Sequence, residues 1–266
     1  MPHAAATLAL RAALRPLVAW GGSLPPDLDA AVRHAAQLRL SPDEAADEAA
    51  VDAHRQRLAA SDAGVEVIDF GAGTRGGERP PVRRVADVYR RAATTPAWGR
   101  LLYGLARAQQ PKRVLELGTN LGVGAAHLAS ALARTEASGG PTGRLVTLEG
   151  APAYATIARQ GLERIGHTVG PEGRIEIHVG PFSDTLRDAC ARGPFDLVFI
   201  DGHHEEAAAL SYTEQIRPHL VPGALVVLDD VEPGRPVRRA WRRLASGARG
   251  ALWLGRYGLL ALEASR

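Results

Sequence analysis

The chain has 266 residues, enough to bury a full core as one large or two small domains. Hydrophobic residues make up 45% and charged residues 23%, the balance of an ordinary soluble globular protein, and the net charge is only +3. One cysteine, Cys190, excludes an internal disulfide framework, and the absence of any 18-residue uncharged apolar run excludes a membrane span. These features point to a cytoplasmic protein. Lys112 is the only lysine among the 32 basic residues, so the arginine content reads as a compositional bias.

In chain order, apolar spacing predicts helices over about 4–20 and 26–38. A third helix opens at Ser41-Pro-Asp-Glu44, a capping-box spacing with proline at the first helical position. Val65–Asp69 reads as a short strand, and helices follow near 81–92 and 96–109. Val67-Ile-Asp-Phe-Gly-Ala-Gly73 imitates a strand running into a cofactor-binding glycine turn. The next residues, Thr74-Arg-Gly-Gly-Glu-Arg-Pro-Pro81, cannot start a helix there, so no helix dipole would face a ligand. The glycine-rich loop 71–77 is expected instead at the substrate entrance.

From Lys112 the pattern alternates. Strands are predicted at 112–117, 144–149, 174–179, 195–201 and 223–229, with helices near 121–134, 151–166, 183–192 and 204–217. Alternation of this kind means a parallel sheet covered on both faces. A helix near 235–246 follows, then Ala251–Leu254 and Tyr257–Leu262, joined by a Gly-Arg turn as an antiparallel pair. Arg235, Arg238, Arg239, Arg242 and Arg243 flank Trp241 and read as a solvated helix face, with no nucleic-acid partner expected. The organisation is thus a mainly helical region over 1–110 and a cofactor-binding domain over 111–266.

The run Val114-Leu-Glu-Leu-Gly-Thr-Asn-Leu-Gly-Val-Gly124 carries the most information. A buried strand ends at Gly118, a second glycine follows at Gly122, and an amphipathic helix then begins with Ala125, Ala126, Leu128 and Ala129. Such a turn presents backbone N–H groups and the positive end of a helix dipole to a ligand. The next strand, Arg144-Leu-Val-Thr-Leu-Glu149, ends in an acid, where doubly wound folds hydrogen-bond a ribose diol. Those two features predict an adenosine-containing cofactor. Further along, Asp201-Gly-His-His204 ends the fourth strand and Asp229-Asp230 the fifth, bringing three carboxylates beside the glycine turn.

Four segments together resemble the class I S-adenosylmethionine-dependent methyltransferases, in the O-methyltransferase group that includes catechol-type and sugar or natural-product enzymes. They are Glu116-Leu-Gly-Thr-Asn-Leu-Gly122, Thr147-Leu-Glu149, Phe195-Asp-Leu-Val-Phe-Ile-Asp-Gly-His-His204 and Pro222-Gly-Ala-Leu-Val-Val-Leu-Asp-Asp-Val231. The resemblance implies a Rossmann-like, doubly wound, mostly parallel seven-stranded sheet behind an N-terminal helical extension that shapes the pocket for a small-molecule hydroxyl substrate. It places Glu116, Gly118, Thr119, Asn120 and Gly122 at the methionine end of S-adenosylmethionine (SAM), and Glu149 with Gly150 at the ribose. Pro181, Phe182 and Ser183 then flank the adenine, and Asp201 closes the cofactor site. In metal-dependent members an ion, expected as Mg²⁺, is held at the places of Asp201, Asp229 and Asp230. Hard oxygen donors of this kind suit that ion.

One departure matters. Catechol-type enzymes place a basic lysine three residues after the first metal-binding aspartate, where this chain has His204. Its only lysine, Lys112, lies at the start of the first strand. The resemblance to sugar and natural-product enzymes therefore assigns the base role to His204, with Asp201 beside it and His203 as the neighbouring alternative. An imidazole, with an unperturbed pKa near 6.5, suits proton removal from a hydroxyl. His127, His178 and Cys190 are expected to be structural. Two other readings stand beside this one: a metal-independent methyltransferase acting on nitrogen or carboxyl acceptors, and a nicotinamide-dependent oxidoreductase. The second would show a tighter G-x-G-x-x-G than Gly118-x-x-x-Gly122. The N-terminal helices are candidates for a homodimer contact.

Overall fold

The computed structural model describes residues 23–68 and 81–264. The expected helix over 4–20 and the loop 71–77 lie outside the described residues. Helices α1 (Pro26–Gln37) and α2 (Pro42–Ala59) come first, then a two-stranded antiparallel pair, β1 (Gly64–Glu66) with β2 (Val82–Arg84). Helices α3 (Val85–Ala92) and α4 (Pro96–Gln109) lead into the main sheet. The Ser41 capping box forms as its spacing predicts: Glu44 donates its amide to Ser41 Oγ at 3.2 Å, and Glu44 Oε2 accepts from the Ser41 amide at 2.9 Å.

One expected helix divides. Residues 82–84 are extended and only Val85 onward is helical, because this stretch pairs with β1 and the Pro81 carbonyl accepts from the Val67 amide at 2.9 Å. Tertiary pairing overrides local helix preference there.

The remaining elements alternate as the sequence implies. They are β3 (Arg113–Leu117), α5 (Val123–Ala137), β4 (Arg144–Glu149), α6 (Pro152–Arg164), β5 (Ile175–Val179), α7 (Phe182–Cys190), β6 (Phe195–Ile200) and α8 (Glu206–Ile216). Then follow β7 (Leu220–Leu228), α9 (Pro236–Ala245), β8 (Gly250–Trp253) and β9 (Gly258–Leu262). The seven strands lie in the order β5-β4-β3-β6-β7-β9-β8, parallel through β7, with β9 antiparallel to both its neighbours. Strand β7 starts at Leu220, ahead of the expected 223. Its register against β6 shifts between Phe195 and Leu197, an irregularity that accommodates Pro222.

Strand side chains alternate between two apolar layers, as a doubly covered sheet requires. Val114, Leu145, Leu197, Leu225 and Leu259 face α1, α4 and α5. Leu115, Val146, Val198, Val226 and Leu260 face the other way, towards α7, α8 and α9. Cys190 is buried in the second layer, where burial pushes its thiol up to about 11, consistent with a packing residue. Among the described residues no helix is long and apolar enough to cross a membrane.

The N-terminal helices share the core of the first layer. Leu28, Val32 and Ala35 of α1 pack in the same cluster as Leu101, Leu128 and Val227. Polar anchors add direction to this contact. Glu48 on α2 meets His127 Nδ1 of α5 at 3.0 Å, and Arg55 donates to the Thr94 carbonyl at 2.6 Å and approaches His127 Nε2 at 3.3 Å. His127 is therefore structural, and Thr94 is held from behind just where the chain passes the ends of β3 and β6.

Helices α1 and α4 cross without space for a side chain between them. A Cβ at Gly104 would lie 2.8 Å from the Ala35 Cα. Gly104→Val should therefore destabilise the protein by about 1–3 kcal/mol, the usual cost of overpacking. The measurement is the urea midpoint; an unchanged midpoint would show that α1 shifts freely against α4.

Candidate active site

Strand β3 ends at the point where strand order reverses, β4 and β5 lying to one side and β6 and β7 to the other. Ligands of open α/β sheets bind beyond the strand ends at such a point. Gly118 turns there with φ +103°, and a Cβ on it would sit 2.2 Å from the Asp201 carbonyl oxygen. Only glycine lets the end of β3 approach the end of β6 this closely. The Asp201 amide in turn donates to the Leu117 carbonyl at 2.8 Å.

Three strand ends carry left-handed residues other than glycine: Asn120 (φ +50°), His203 (φ +53°) and Asp230 (φ +58°). Asparagine, aspartate and histidine are the residue types that enter this region most readily, and each such residue still costs about 1–3 kcal/mol. All three line one open cavity of about 660 Å³. Gly118, Glu149, Gly150, Phe182, Asp201 and His204 line the same cavity, and so do Val67 and Ile68, which precede the loop expected at the entrance. Glu116, Thr119, Gly122, Pro181, Ser183 and Asp229 do not line it. Ser183 turns away and donates to Asp184 at 2.8 Å.

Glu149 closes one wall. It is buried, and its oxygens accept the Asn120 amide at 2.6 Å and the Ala151 amide at 2.8 Å. Burial raises its pKa, while those amides oppose the rise. Beneath it lies Glu116, fully buried, with Thr147 Oγ1 donating to Oε2 at 2.6 Å and no partner on Oε1. Burial pushes Glu116 up to about 8. Thr119 joins this layer through a 2.5 Å contact between its hydroxyl and that of Thr147. Phe182 lies so close over Gly202 that a Cβ there would be 2.9 Å from the ring.

The opposite wall is acidic. His204, 41% exposed at the side chain, stands between two carboxylates, with Nε2 3.9 Å from Asp201 and Nδ1 3.7 Å from Asp230. His203 is turned elsewhere, its Nδ1 2.8 Å from the Tyr212 hydroxyl. Burial, then the charge of Asp229, raises the Asp201 pKa well above the carboxylate range, and Thr94 Oγ1 approaches it at 3.5 Å. Asp229 itself is engaged by Arg256, from the turn between β8 and β9. Arg256 Nε donates to Oδ1 at 2.6 Å and Nη2 donates to Oδ2. The same Nη2 lies 3.5 Å from Asp230, and Arg235 reaches Asp230 at 3.6 Å.

The expected ion site does not assemble. Among the described residues no group of three or more His, Cys, Asp or Glu is placed to hold a metal. Both Asp229 oxygens point at a guanidinium, so Asp201, Asp229 and Asp230 do not fit Mg²⁺ in this arrangement. Arg256 is one of the cavity residues that sequence reasoning passed over, with Asp87, Tyr154 and Tyr212 among the others. The one available sign was a cation in the Gly-Arg turn of the closing strand pair.

Residues 115–231 match a family model described as a methyltransferase domain. The chain is 41% identical over 144 residues to a catechol O-methyltransferase of Mycobacterium tuberculosis, covering 54% of this chain and 59% of that protein. The chain thus spans under two-thirds of that relative's length. It is 30% identical over 206 residues to a protein named as an O-methyltransferase in Mycobacterium sp. (strain JLS), covering 77% and 73% of the two chains. Among solved structures it is similar to the O-methyltransferase TomG from Streptomyces achromogenes, involved in Tomaymycin synthesis, in complex with SAM. That match has 29% identity and a TM-score of 0.51 and covers 64% of this chain and 82% of that one. The fold is that of a class I methyltransferase. The chain belongs to the SAM-dependent O-methyltransferase family.

Two measurements test the cofactor wall. Glu149→Ala should weaken SAM binding by about 1.5–3 kcal/mol, the worth of hydrogen bonds to a charged group. Calorimetry reads this directly, and unchanged affinity would remove Glu149 from the site. Glu116 has a folded pKa of about 8 against an ordinary 4.5, so its stabilising effect is complete below 4.5 and is lost as pH rises towards 8. Glu116→Gln should flatten the pH dependence of urea unfolding over that window, by up to about 1.4 kcal/mol per pH unit. An identical slope in the variant would refute the buried neutral acid.

Proposed function

We propose that this chain is a SAM-dependent O-methyltransferase that moves a methyl group to a hydroxyl of a small molecule, with His204 as the base. The observation that carries this reading is the place of His204. Its imidazole stands between Asp201 and Asp230 and lines the same cavity as Gly118 and Glu149.

SAM supplies, when bound, a methyl group on a positively charged sulfur, an already activated donor. The chain has to position it and remove one proton. The backbone groups of the Gly118–Asn120 turn would receive the methionine end. Glu149 would accept hydrogen bonds from the ribose hydroxyls, because two backbone amides already orient its carboxylate and leave lone pairs free. Gly150 and Phe182 would border the adenine, and the layer of Glu116, Thr119 and Gly122 would support the turn from beneath.

On the acceptor side, His204 takes the hydroxyl proton as the oxygen–carbon bond forms and the sulfur–carbon bond breaks. Asp201 and Asp230 flank the imidazole, and its exposure lets the proton pass to solvent. Holding the two reactants in line accounts for much of the rate, and a positioned base adds about 10²–10⁴-fold. The geometry favours this reaction without Mg²⁺, since Asp229 is committed to Arg256. Membership of the methyltransferase family sets aside the nicotinamide-dependent reading.

A methyl-transfer screen over phenols, catechols, sugars and hydroxylated metabolites tests the activity, and transfer only to nitrogen or carboxyl acceptors would refute it. With an acceptor in hand, His204→Ala should lower kcat by about 10²–10⁴-fold with little change in SAM affinity. The base limb of the kcat/KM pH profile should vanish in that variant. His203→Ala should be mild, since His203 is held by Tyr212. A His204→Ala variant turning over at the native rate would show that solvent alone carries the proton away.

A further inference from the structure

We propose that Arg256 is the fixed counter-cation of the Asp201–Asp229–Asp230 cluster, filling the charge role of a divalent ion, so that methyl transfer at this site needs no metal. It rests on the proposed methyl transfer for its rate measurements only.

The turn that carries Arg256 is anchored on both sides. The Arg256 carbonyl accepts from the Val231 amide at 2.8 Å, just past the acidic end of β7, and the Leu254 amide donates to the Tyr257 carbonyl at 2.8 Å. The next side chain, Tyr257, is fully buried, its ring centroid 4.7 Å from that of Trp98 and 5.5 Å from that of Phe199. The backbone at Arg256 is therefore held by the core, and its side chain is only 26% exposed.

From this base the guanidinium makes a planar, two-pronged contact with Asp229, which is 1% exposed, and reaches Asp230 with the same Nη2. Bidentate recognition of a carboxylate is the arrangement arginine suits best. A divalent ion of the Mg²⁺ type needs oxygen donors at close to 2.1 Å in near-octahedral geometry. To enter, it would have to take the Asp229 oxygens from a guanidinium already satisfied there and leave that charge stranded in a largely buried place. The mobile partners of an ion are also engaged. Asp230 faces His204 and Arg235 as well as Arg256. Acid repulsion, the reason such a cluster would recruit an ion, is answered by groups of the chain itself.

Electron paramagnetic resonance of Mn²⁺ titrated into the full chain tests this independently of any activity. The native chain should leave the free Mn²⁺ signal undiminished up to millimolar concentration. Arg256→Ala should uncover the acids and bind Mn²⁺ at least tenfold more tightly, and Arg256→Lys, keeping the charge but not the fork, should fall between. Once an acceptor is found, native turnover should change less than twofold in excess chelator. Submillimolar Mn²⁺ binding to the native chain that Asp229→Asn abolishes, or loss of turnover on chelation, would overturn the proposal. So would an Arg256→Ala variant that folds, by its circular dichroism, yet still ignores Mn²⁺, because the acids would then form no ion site to be filled. If no acceptor is ever methylated, the functional reading fails while the Mn²⁺ titration still decides on Arg256.

Discussion

The meeting of β3 and β6 at the switch point is the constraint on which the rest of the site depends. Gly118 has no Cβ, and the space a Cβ would take is filled by the Asp201 carbonyl. That close approach joins two loops with different tasks. One carries Thr119, Asn120 and the start of α5, and the other carries Asp201, Gly202, His203 and His204. On the proposed function, strand ends even one side chain further apart would move the glycine turn away from His204. The N-terminal helices serve the same junction from behind, through Arg55 on the Thr94 carbonyl and Thr94 towards Asp201.

Charge at the junction is arranged in depth. The lowest layer, Glu116 with Thr147 and Thr119, is buried, and burial raises the Glu116 carboxyl to about 8. Above it, burial and then the charge of neighbouring Asp229 push Asp201 towards the neutral form, while Arg256 pairs with Asp229. At the cavity surface Asp230 faces His204, Arg235 and Arg256. Like charges this close would otherwise repel strongly, and the chain separates them by neutralising some and pairing others.

The architecture was largely legible in the sequence because its signals are local. Strand β4 falls at 144–149 as expected, and α4 at 96–109, since buried parallel strands and amphipathic helices declare themselves within a dozen residues. Gly118, Glu149 and His204 could be singled out by their position at strand ends. What escaped was decided by contacts across long stretches of chain. The β1–β2 pairing breaks an apparently continuous helix, and Arg256 meets an acid 27 residues earlier. Three aspartates at two strand ends suggest an ion when read alone. The residue that changes the reading lies in a tight turn with no pattern of its own.

The strained residues tie these strands of reasoning together. Asn120, His203 and Asp230 each sit in the left-handed region at the end of a different strand, and all three border the same cavity. Each conformation reverses the chain within one residue, so the segment after the strand can turn back over the sheet edge rather than continue away from it. At Asn120 this aims the backbone amide at Glu149, and at His203 it turns that ring to Tyr212 and leaves the next imidazole, His204, facing the acids. At Asp230 it sets the carboxylate between His204, Arg235 and Arg256. A free-energy cost repeated at three independent strand ends persists only where surrounding contacts hold it. Here those contacts are the ones that define the two walls of the cavity, so the strain and the site have the same cause.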